Sequence, residues 1–374
     1  MLAVGTELSL RQIHRLGKLA RTIHAPGSVG TISTYRSLSA GRFVIHIKRP
    51  TLIGFYEIST VRDTEAKLFY CFANIRKINY LCNINELTKN EKVTMRTFFA
   101  LFMSVMLLTS VSAQAETTKL TIDGSKGKLS AVIQKPQTSQ GQQIPMVILM
   151  HGFGGSKDGR GGQKGMLEII ADKLEAQGIA SIRFDFNGHG ESEGEFWQHT
   201  VPNEIEDALK VYEYVRDLRY VSTISVLGHS QGGVVASMVA GKLGAEIKAA
   251  VLMAPAAVLR DDAIRGSTFG SSYDPLNLQG DYIELMGGRQ KLGTEYIRTA
   301  FSLPIYKTAA NYKGALCVIH GTGDKVVPYT YGERYTEQSN NAELYILPGE
   351  DHGFMKDQQR ATDIAVEFLT RNLK

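Results

Sequence analysis

The sequence predicts an α/β fold in which a mostly parallel sheet of eight strands carries helices on both faces. Short apolar runs that end at Gly, Pro or polar residues recur through residues 116–374, as is typical of buried parallel strands. Stretches with apolar residues at helical spacing lie between these runs, so strand and helix alternate. One long segment, about residues 256–312, has no core strand, and a segment of that length within a domain predicts an inserted lid.

The individual elements follow from these patterns in chain order. Two short strands joined by a glycine-containing turn begin the domain, and six core strands follow. The strands are predicted at residues 119–123, 129–134, 146–150, 180–184, 224–227, 249–253, 315–319 and 343–347. The helices are predicted at residues 166–177, 204–218, 233–243 and 362–373. Because crossovers between parallel strands are right-handed, the carboxyl ends of the strands meet at one edge of the sheet, where ligands bind.

Composition and charge exclude several classes of protein. The 374 residues are 43% hydrophobic and 21% charged, as in globular proteins. Residues 1–94 hold 14 Lys and Arg against 6 Asp and Glu, whereas residues 116–374 hold 27 against 31. The larger part is therefore mildly acidic, and its charge does not favour nucleic-acid binding. Its single cysteine, Cys317, lies in an apolar run, which excludes a disulfide framework there.

Residues 95–115 have the three parts of a secretory signal peptide. Arg96 supplies the positive charge, residues 98–111 are mostly apolar, and residues 113–115 read Ala-Gln-Ala, a small-residue cleavage signal. The apolar part is shorter than the roughly 20 residues of a membrane span. We expect translation to start at Met95, with residues 1–94 a non-native upstream extension that is unstructured or poorly ordered. A genuine N-terminal region followed by a membrane anchor is the alternative.

Residues 228–232 read Gly-His-Ser-Gln-Gly, a G-x-S-x-G pattern between a predicted strand and a predicted helix. A sharp strand-to-helix turn needs glycine on both sides of the serine, because a Cβ would clash there. The turn would lift the Ser230 hydroxyl clear of the sheet edge and beside a helix N-terminus. Ser230 is therefore the candidate nucleophile, and it needs a neighbouring base to accept its proton.

Two later residues can complete a catalytic triad. His352 follows the predicted strand at residues 343–347, and Asp324 follows the one at residues 315–319. His352 is the candidate base, while Asp324 would orient the imidazole and stabilise the imidazolium. Each residue alone could be an ordinary loop residue. All three at strand carboxyl ends, in the order Ser, Asp, His, predict a serine hydrolase.

A tetrahedral intermediate of acyl transfer needs two backbone N–H donors, the oxyanion hole. Gln231, directly after the nucleophile, would supply one of them. Phe153, within the sequence His151-Gly152-Phe153-Gly154-Gly155 after an early strand, would supply the other. The glycines let the backbone approach a substrate closely. We expect His151 to be a structural hydrogen-bonding residue.

These motifs resemble the α/β-hydrolase fold over residues 119–372. Residues 184–192, Phe-Asp-Phe-Asn-Gly-His-Gly-Glu-Ser, match the D-x-x-G-x-G-x-S loop of that family. The resemblance implies a structural role for the loop, so neither Asp185 nor His189 is assigned a chemical role.

Within this fold the sequence is most similar to the cinnamoyl and feruloyl esterases. The similarity lies in residues 184–192, 203–208, 228–236, 254–257 and 303–306. In that group an insertion covers the nucleophile, and its polar side chains hold the phenolic end of the acyl group. The resemblance implies that Asp262 and Tyr296 are substrate-binding residues of the lid. Phe269 stands where the resemblance leads us to expect a polar Gln, a departure that bears on acyl preference.

We expect a serine carboxylesterase that works through an acyl-enzyme and hydrolyses feruloyl or coumaroyl esters of plant cell-wall polysaccharides. No cofactor or metal is expected. The partners would be small-molecule or polysaccharide-linked esters, and a homodimer is left open. The protein would be periplasmic or secreted, with no membrane attachment after signal cleavage.

Two alternatives remain from the sequence. One is a serine peptidase of the prolyl-oligopeptidase type, although residues 1–94 are too short to form the propeller usual in that group. The other is a catalytically silent protein that binds small molecules in the same cleft.

Overall fold

The computed structural model describes residues 116–137, 141–159, 161 and 163–373, together with the backbone of five short strands nearer the N-terminus. The chain divides into two compact units, Met1–Thr109 and Ser110–Lys374. The predicted signal peptide, residues 95–115, lies outside the described residues. The interpretation of residues 1–94 as an upstream extension stays a prediction.

The five strands of the first unit form antiparallel pairs. They are β1 (Ala3–Gly5), β2 (Thr31–Arg36), β3 (Phe43–Lys48), β4 (Tyr56–Ile58) and β5 (Lys67–Phe69). Strand β1 pairs with β5, and β3 lies between β2 and β4.

The second unit is built on a mostly parallel sheet of eight strands. The described residues of this unit contain twelve strands, of which β12 to β15 lie outside the main sheet. They are β6 (Glu116–Asp123), β7 (Lys128–Lys135), β8 (Ile144–Met150), β9 (Ala180–Phe184), β10 (Val221–His229), β11 (Ile247–Met253), β12 (Ser267–Thr268), β13 (Ser271–Ser272), β14 (Tyr282–Leu285), β15 (Gln290–Gly293), β16 (Ala315–Gly321) and β17 (Ala342–Leu347). The strand order in the main sheet is β17-β16-β11-β10-β8-β9-β7-β6. Only β7 runs opposite to the other seven strands of this sheet, so the predicted fold class is confirmed.

Helices cover both faces of this sheet. They are α1 (Met166–Ala176), α2 (Val201–Arg216), α3 (Gln231–Leu243), α4 (Val258–Arg265), α5 (Thr294–Ser302), α6 (Ile305–Ala309), α7 (Thr330–Thr336) and α8 (Gln358–Leu373). Successive side chains of a strand point to opposite faces, so Ile148 packs in the core with α2 and α3 whereas Leu149 packs in the core with α1 and α8. Of the helices in the described residues, none is both long and apolar enough to span a bilayer.

The segment between β11 and β16, residues 254–314, is an insertion that adds no strand to the main sheet. It contains α4, α5 and α6 and two small ribbons, β12 with β13 and β14 with β15. Its apolar side chains, among them Leu285, Leu292 and Ile297, join the same core as α2 and α3. The insertion is therefore packed against the domain through apolar burial, and its Tyr296 contacts Gln231, the residue after the candidate nucleophile.

Candidate active site

The candidate nucleophile lies at the turn between β10 and α3. Ser230 has φ 58° and ψ −124°, a backbone conformation that residues other than glycine rarely adopt. A Cβ at Gly228 would lie 2.0 Å from the carbonyl oxygen of Gly232, and a Cβ at Gly232 would lie 2.4 Å from the carbonyl oxygen of His151. Both positions flanking the elbow therefore require glycine. The Ser230 amide donates to the Met253 carbonyl oxygen at 2.9 Å, which helps to hold the strained turn.

The structure brings the three residues of the predicted triad into one hydrogen-bonded chain. His352 Nε2 lies 2.8 Å from Ser230 Oγ, and His352 Nδ1 lies 2.7 Å from Asp324 Oδ2. Ser230 and Asp324 are buried, whereas His352 is partly exposed. The carboxylate selects the tautomer with a proton on Nδ1, so the lone pair of Nε2 faces the hydroxyl. This arrangement can remove the proton of Ser230 as the oxygen attacks a carbonyl carbon.

The carboxyl group of Asp324 is held in its ionised form. Its Oδ1 accepts from the amides of Val326 and Val327, each at 2.8 Å. Its Oδ2 lies 3.2 Å from His320 Nε2, a buried histidine at the end of β16 that sequence reasoning did not single out. Burial raises the pKa of the carboxyl, but the hydrogen bonds from His320, His352 and the Val327 amide outweigh burial and hold the pKa well below its usual range.

His229, next to the nucleophile, holds the loop that carries the base. Its Nε2–H donates to the carbonyl oxygen of His352 at 2.8 Å, and the two rings lie 5.0 Å apart. Burial, and after it the neighbouring His352 ring, lowers the pKa of His229 to about 4, so this imidazole is neutral near pH 7. Sequence reasoning assigned His229 no role, because the motif treats that position as variable.

The loop after β8 lies against the nucleophile. A Cβ at Gly152 would lie 2.8 Å from Ser230 Cβ and 3.3 Å from its Oγ. The next amide along the chain, that of Phe153, belongs to this closely approaching loop. The other predicted donor, the amide of Gln231, begins α3 directly after the serine. The two amides thus belong to the two segments that flank Ser230, where a tetrahedral intermediate would carry its negative charge.

A buried polar network fixes the side chain of Gln231. Its Nε2 donates to both carboxyl oxygens of Glu204 at 2.9 and 2.8 Å, and its Oε1 accepts from the hydroxyl of Tyr296 at 2.6 Å. Burial raises the pKa of Glu204 well above its usual value, against the opposing hydrogen bond from Gln231. Sequence reasoning missed Glu204; the available signal was a charged residue among the apolar positions of α2. Tyr296, predicted to touch substrate, is itself buried and contacts Gln231.

The other candidate lid residue lies elsewhere on the insertion. Asp262, on α4, forms an ion pair with Arg265 one turn later and has a side chain 25% exposed. Burial raises the pKa of Asp262, an effect that Arg265 opposes. Within the described residues no hydrogen bond joins Asp262 to the Ser230–His352–Asp324 chain. Asp262 thus has no direct hydrogen bond to the triad among the described residues, and its contact with substrate stays a prediction.

Phe269 and Phe153 form an aromatic pair beside the predicted oxyanion hole. Their ring centroids lie 4.6 Å apart at an interplanar angle of 32°. Phe269 and Gly270 form the two-residue loop between β12 and β13, and both have positive φ, 46° and 79°. This is the φ pattern of the type I′ turn, which suits a tight hairpin. The turn leaves the Phe269 side chain 42% exposed, so its ring can contact a ligand.

The D-x-x-G-x-G-x-S loop is organised around a buried ion pair. Asp185 is fully buried, and its carboxylate accepts from the Lys157 amide at 2.6 Å and from the Lys157 ammonium at 3.0 Å. The same ammonium lies 2.7 Å from Glu191. A Cβ at Gly190 would lie 2.2 Å from the Asp185 carboxylate, which accounts for the glycine there. Asp185 thus holds the loop in place through its bonds to Lys157.

One group of buried side chains has the donor types of a metal site. A potential ligand atom from each of His189, His199 and Glu204 lies within 4.8 Å of the other two. Burial lowers the pKa of His189 and of His199, the latter to about 4, so both rings are neutral near pH 7. Sequence reasoning assigned His189 no chemical role and did not mention His199.

Comparisons with known proteins support the class of serine hydrolases that the triad geometry indicates. The family described as serine aminopeptidase, S33, matches residues 141–271, which contain Ser230 but end before Asp324 and His352. The structure of Est1E from Butyrivibrio proteoclasticus with ferulic acid bound superposes with a TM-score of 0.63 at 30% identity, covering 68% of this chain and 98% of that one. The Pyrococcus furiosus esterase Pf2001 superposes with a TM-score of 0.52 at 20% identity, over 70% and 94% of the two chains, and shows likeness of fold.

A curated relative matches over a shorter stretch. The quorum-quenching protein AidA of Acinetobacter baumannii is 30% identical over 114 residues, which are 30% of this chain. The match spans only about a third, 35%, of the length of AidA.

The fold, the elbow and these comparisons define an α/β-hydrolase. The chain belongs to the α/β-hydrolase superfamily of serine hydrolases and esterases. Within the superfamily it is like the cinnamoyl and feruloyl esterases, the group that its motifs resemble.

Proposed function

We propose that this protein is a serine carboxylesterase that hydrolyses feruloyl or coumaroyl esters of plant cell-wall polysaccharides through an acyl-enzyme. The observation that carries the esterase chemistry is the hydrogen-bonded chain from Ser230 through His352 to Asp324, with distances of 2.8 and 2.7 Å. These distances are within the range at which a general base accepts a proton.

In the proposed reaction His352 Nε2 accepts the proton of Ser230 as its Oγ attacks the ester carbonyl carbon. The amides of Phe153 and Gln231 donate to the oxyanion that forms. The intermediate collapses to the acyl-enzyme, and His352 protonates the departing alkoxide. A water molecule then gives a proton to His352 and attacks the acyl carbonyl carbon; collapse of this second intermediate releases the carboxylic acid, and His352 returns the proton to Ser230 Oγ. Asp324 stabilises the imidazolium in both steps.

The proposed preference for feruloyl and coumaroyl groups is supported by the aromatic pair of Phe153 and Phe269 and by one related structure, that of Est1E. The exposed ring of Phe269 beside Phe153 suits a flat, conjugated acyl group, because aromatic rings attract one another in offset or tilted contacts. Est1E, whose structure holds ferulic acid, spans almost the same domain. Asp262, on α4 of the insertion, remains the candidate for the phenolic end. Tyr296 would act through Gln231 to which it donates, and the insertion would serve as the lid.

The proposed setting follows from the sequence. Residues 95–115 have the parts of a signal peptide, so we propose a periplasmic or secreted enzyme that acts on esters outside the cytoplasm. Plant polysaccharide esters are too large to enter a cell, which agrees with export. N-terminal sequencing of exported protein tests this: an end near Glu116 supports it, and an end at Met1 contradicts it.

A serine peptidase is the second candidate, since the matched family is described as a serine aminopeptidase. An ester and a peptide use the same nucleophile and oxyanion donors, so the substrate alone distinguishes them. Aminoacyl and prolyl nitroanilides cleaved faster than feruloyl esters by the mature protein would favour the peptidase.

The test compares wild type with Ser230→Ala on methyl ferulate, methyl coumarate, nitrophenyl acetate and nitrophenyl butyrate. We expect Ser230→Ala to lose nearly all turnover and to escape labelling by a fluorophosphonate probe. Ser225→Ala, a buried serine of β10 bonded to the Ala249 amide, is the matched control and should still label. Hydrolysis retained by Ser230→Ala would exclude the triad. Folded wild type that does not label would favour a silent binding protein.

A further inference from the structure

Two buried histidines have ring nitrogens that lack a hydrogen-bond partner among the described residues, a condition that is rare in protein interiors. His189 and His199 are 4% and 2% exposed, and their ring centroids lie 4.8 Å apart. Among the described residues, neither Nε2 has a hydrogen-bond partner. A buried nitrogen lone pair without a partner costs free energy, so two adjacent ones call for a ligand that they share.

The local structure fixes which nitrogen of each ring can bind. His189 Nδ1 lies 3.3 Å from the Asn187 carbonyl oxygen, and His199 Nδ1 contacts the Phe196 carbonyl oxygen. In each ring Nδ1–H therefore donates to backbone, and Nε2 carries the free lone pair. A backbone carbonyl behind the second ring nitrogen is the usual support of a metal-binding histidine.

The third group is a carboxyl group. Glu204 is 2% exposed, and a potential ligand atom of each of the three residues lies within 4.8 Å of the others. Both Glu204 oxygens accept from Gln231 Nε2, yet each has a further lone pair to offer. The third nearby imidazole is already engaged, because His151 Nε2 accepts from the Phe186 amide.

We propose that His189, His199 and Glu204 form a buried site for a divalent transition-metal ion, of which Zn²⁺ best matches the donors. Two neutral imidazoles and one carboxylate, from which the ion displaces any proton on binding, are a ligand set that Zn²⁺ takes in proteins, with a water molecule in the fourth position. Bonds of about 2.0–2.2 Å in a tetrahedron set ligand atoms roughly 3.3 Å apart. Binding therefore requires the widest pair to close by at most about 1.5 Å.

The site has a direct structural consequence for the catalytic centre. Glu204 holds Gln231, and Gln231 follows the nucleophile, so the ion would anchor the polar network beneath the oxyanion hole without touching substrate. Its role would be to position Gln231. The hydrolytic steps themselves proceed on the residues of the triad.

The test uses the full, untagged protein dialysed against Zn²⁺ and then against buffer, with zinc measured by mass spectrometry. We expect about one Zn²⁺ per chain, and tetrahedral absorption bands when Co²⁺ is used instead. The variants His199→Leu and Glu204→Gln should each lose more than about 100-fold in affinity. His352→Ala, which removes an imidazole outside the cluster, should bind zinc as the wild type does.

Thermal unfolding supplies a second readout, and its first comparison needs only the wild type. Saturating Zn²⁺ should raise the Tm of wild type by roughly 5–10 °C over the protein in EDTA, and should leave that of His199→Leu unchanged. Without a metal, His199→Leu would simply remove an unsatisfied nitrogen and raise the Tm in EDTA and in zinc alike. That result, or equal zinc in wild type and His199→Leu, would overturn the proposal in favour of a buried water molecule or of no ligand.

Discussion

The imidazole of His229 donates to the main-chain carbonyl oxygen of His352, so the residue beside the nucleophile also holds the loop of the base. Hydrogen bonds in the triad depend on the position of this loop, because His352 reaches Ser230 from a segment 122 residues away. His229 thus acts as a positioning residue for the triad.

Removing this donor should slow chemistry more than it weakens substrate binding. We expect His229→Phe to lower kcat about 10-fold with little change in KM, which corresponds to the roughly 1–2 kcal/mol of one buried hydrogen bond. His229→Gln keeps a donor near the position of Nε2 and should restore most of the rate. Steady-state kinetics on a nitrophenyl ester measures both; equal losses in the two variants would contradict a role for the hydrogen bond.

The same histidine predicts how stability depends on pH. Its folded pKa of about 4 lies below the roughly 6.5 of an unfolded histidine, so the unfolded state binds more protons between these values. His229 therefore contributes stability that is fully present above about pH 6.5 and is lost as the pH falls toward 4. The loss is at most about 3 kcal/mol, an upper limit because part of the residue is exposed.

Urea unfolding of wild type and His229→Gln between pH 7 and pH 4 checks this dependence. The free energy of unfolding of wild type should fall relative to that of the variant as the pH is lowered. A difference between the two proteins that stays constant over this range would contradict the prediction.

The close approach of Gly152 to the nucleophile predicts a large effect of one methyl group. A Cβ there would lie 2.8 Å from Ser230 Cβ, so Gly152→Ala must shift the loop that carries the Phe153 amide. We expect kcat to fall about 10²- to 10³-fold, as for loss of one oxyanion donor. Ser156→Ala, in the same loop, is the control and should keep wild-type kinetics. Thermal melts establish that both variants fold; a fully active Gly152→Ala would contradict this placement of the loop.

The aromatic pair predicts a change in acyl preference. Phe269→Ala should lower kcat/KM for methyl ferulate about 3- to 10-fold relative to nitrophenyl acetate, the equivalent of one aromatic contact. Leu276→Ala, a truncation at an exposed position of the same insertion, should change kcat/KM for neither ester. If Phe269→Ala slows both esters equally, the ring supports the loop and does not contact the acyl group.

Much of the fold could be predicted from pattern alone. The strand at residues 180–184 was predicted with the bounds that the structure has, because a short run rich in apolar residues ends there and the polar Asp185 follows. Helix α7 was missed because it is short and largely polar, and the ribbons of the insertion were missed because their strands have two to four residues.

The residues of the candidate site also divide into those that the sequence predicts and those that only the structure shows. Ser230, Asp324 and His352 could be found because each follows a strand, and strand ends converge at one edge of the sheet. The roles of His229, Glu204 and His199 depend on hydrogen bonds and burial between distant segments. No spacing in the sequence encodes such contacts, so only the structure reveals them.

The buried ammonium of Lys157 has a consequence for the stretch of chain that precedes it. Residues 151–156 leave the sheet at the end of β8 and are fastened again at Lys157 by its bonds to Asp185 and Glu191. This glycine-rich segment is only six residues long and is held at both ends, so it has little freedom to move. The amide of Phe153, the predicted oxyanion donor, is thus held in position before any ligand binds.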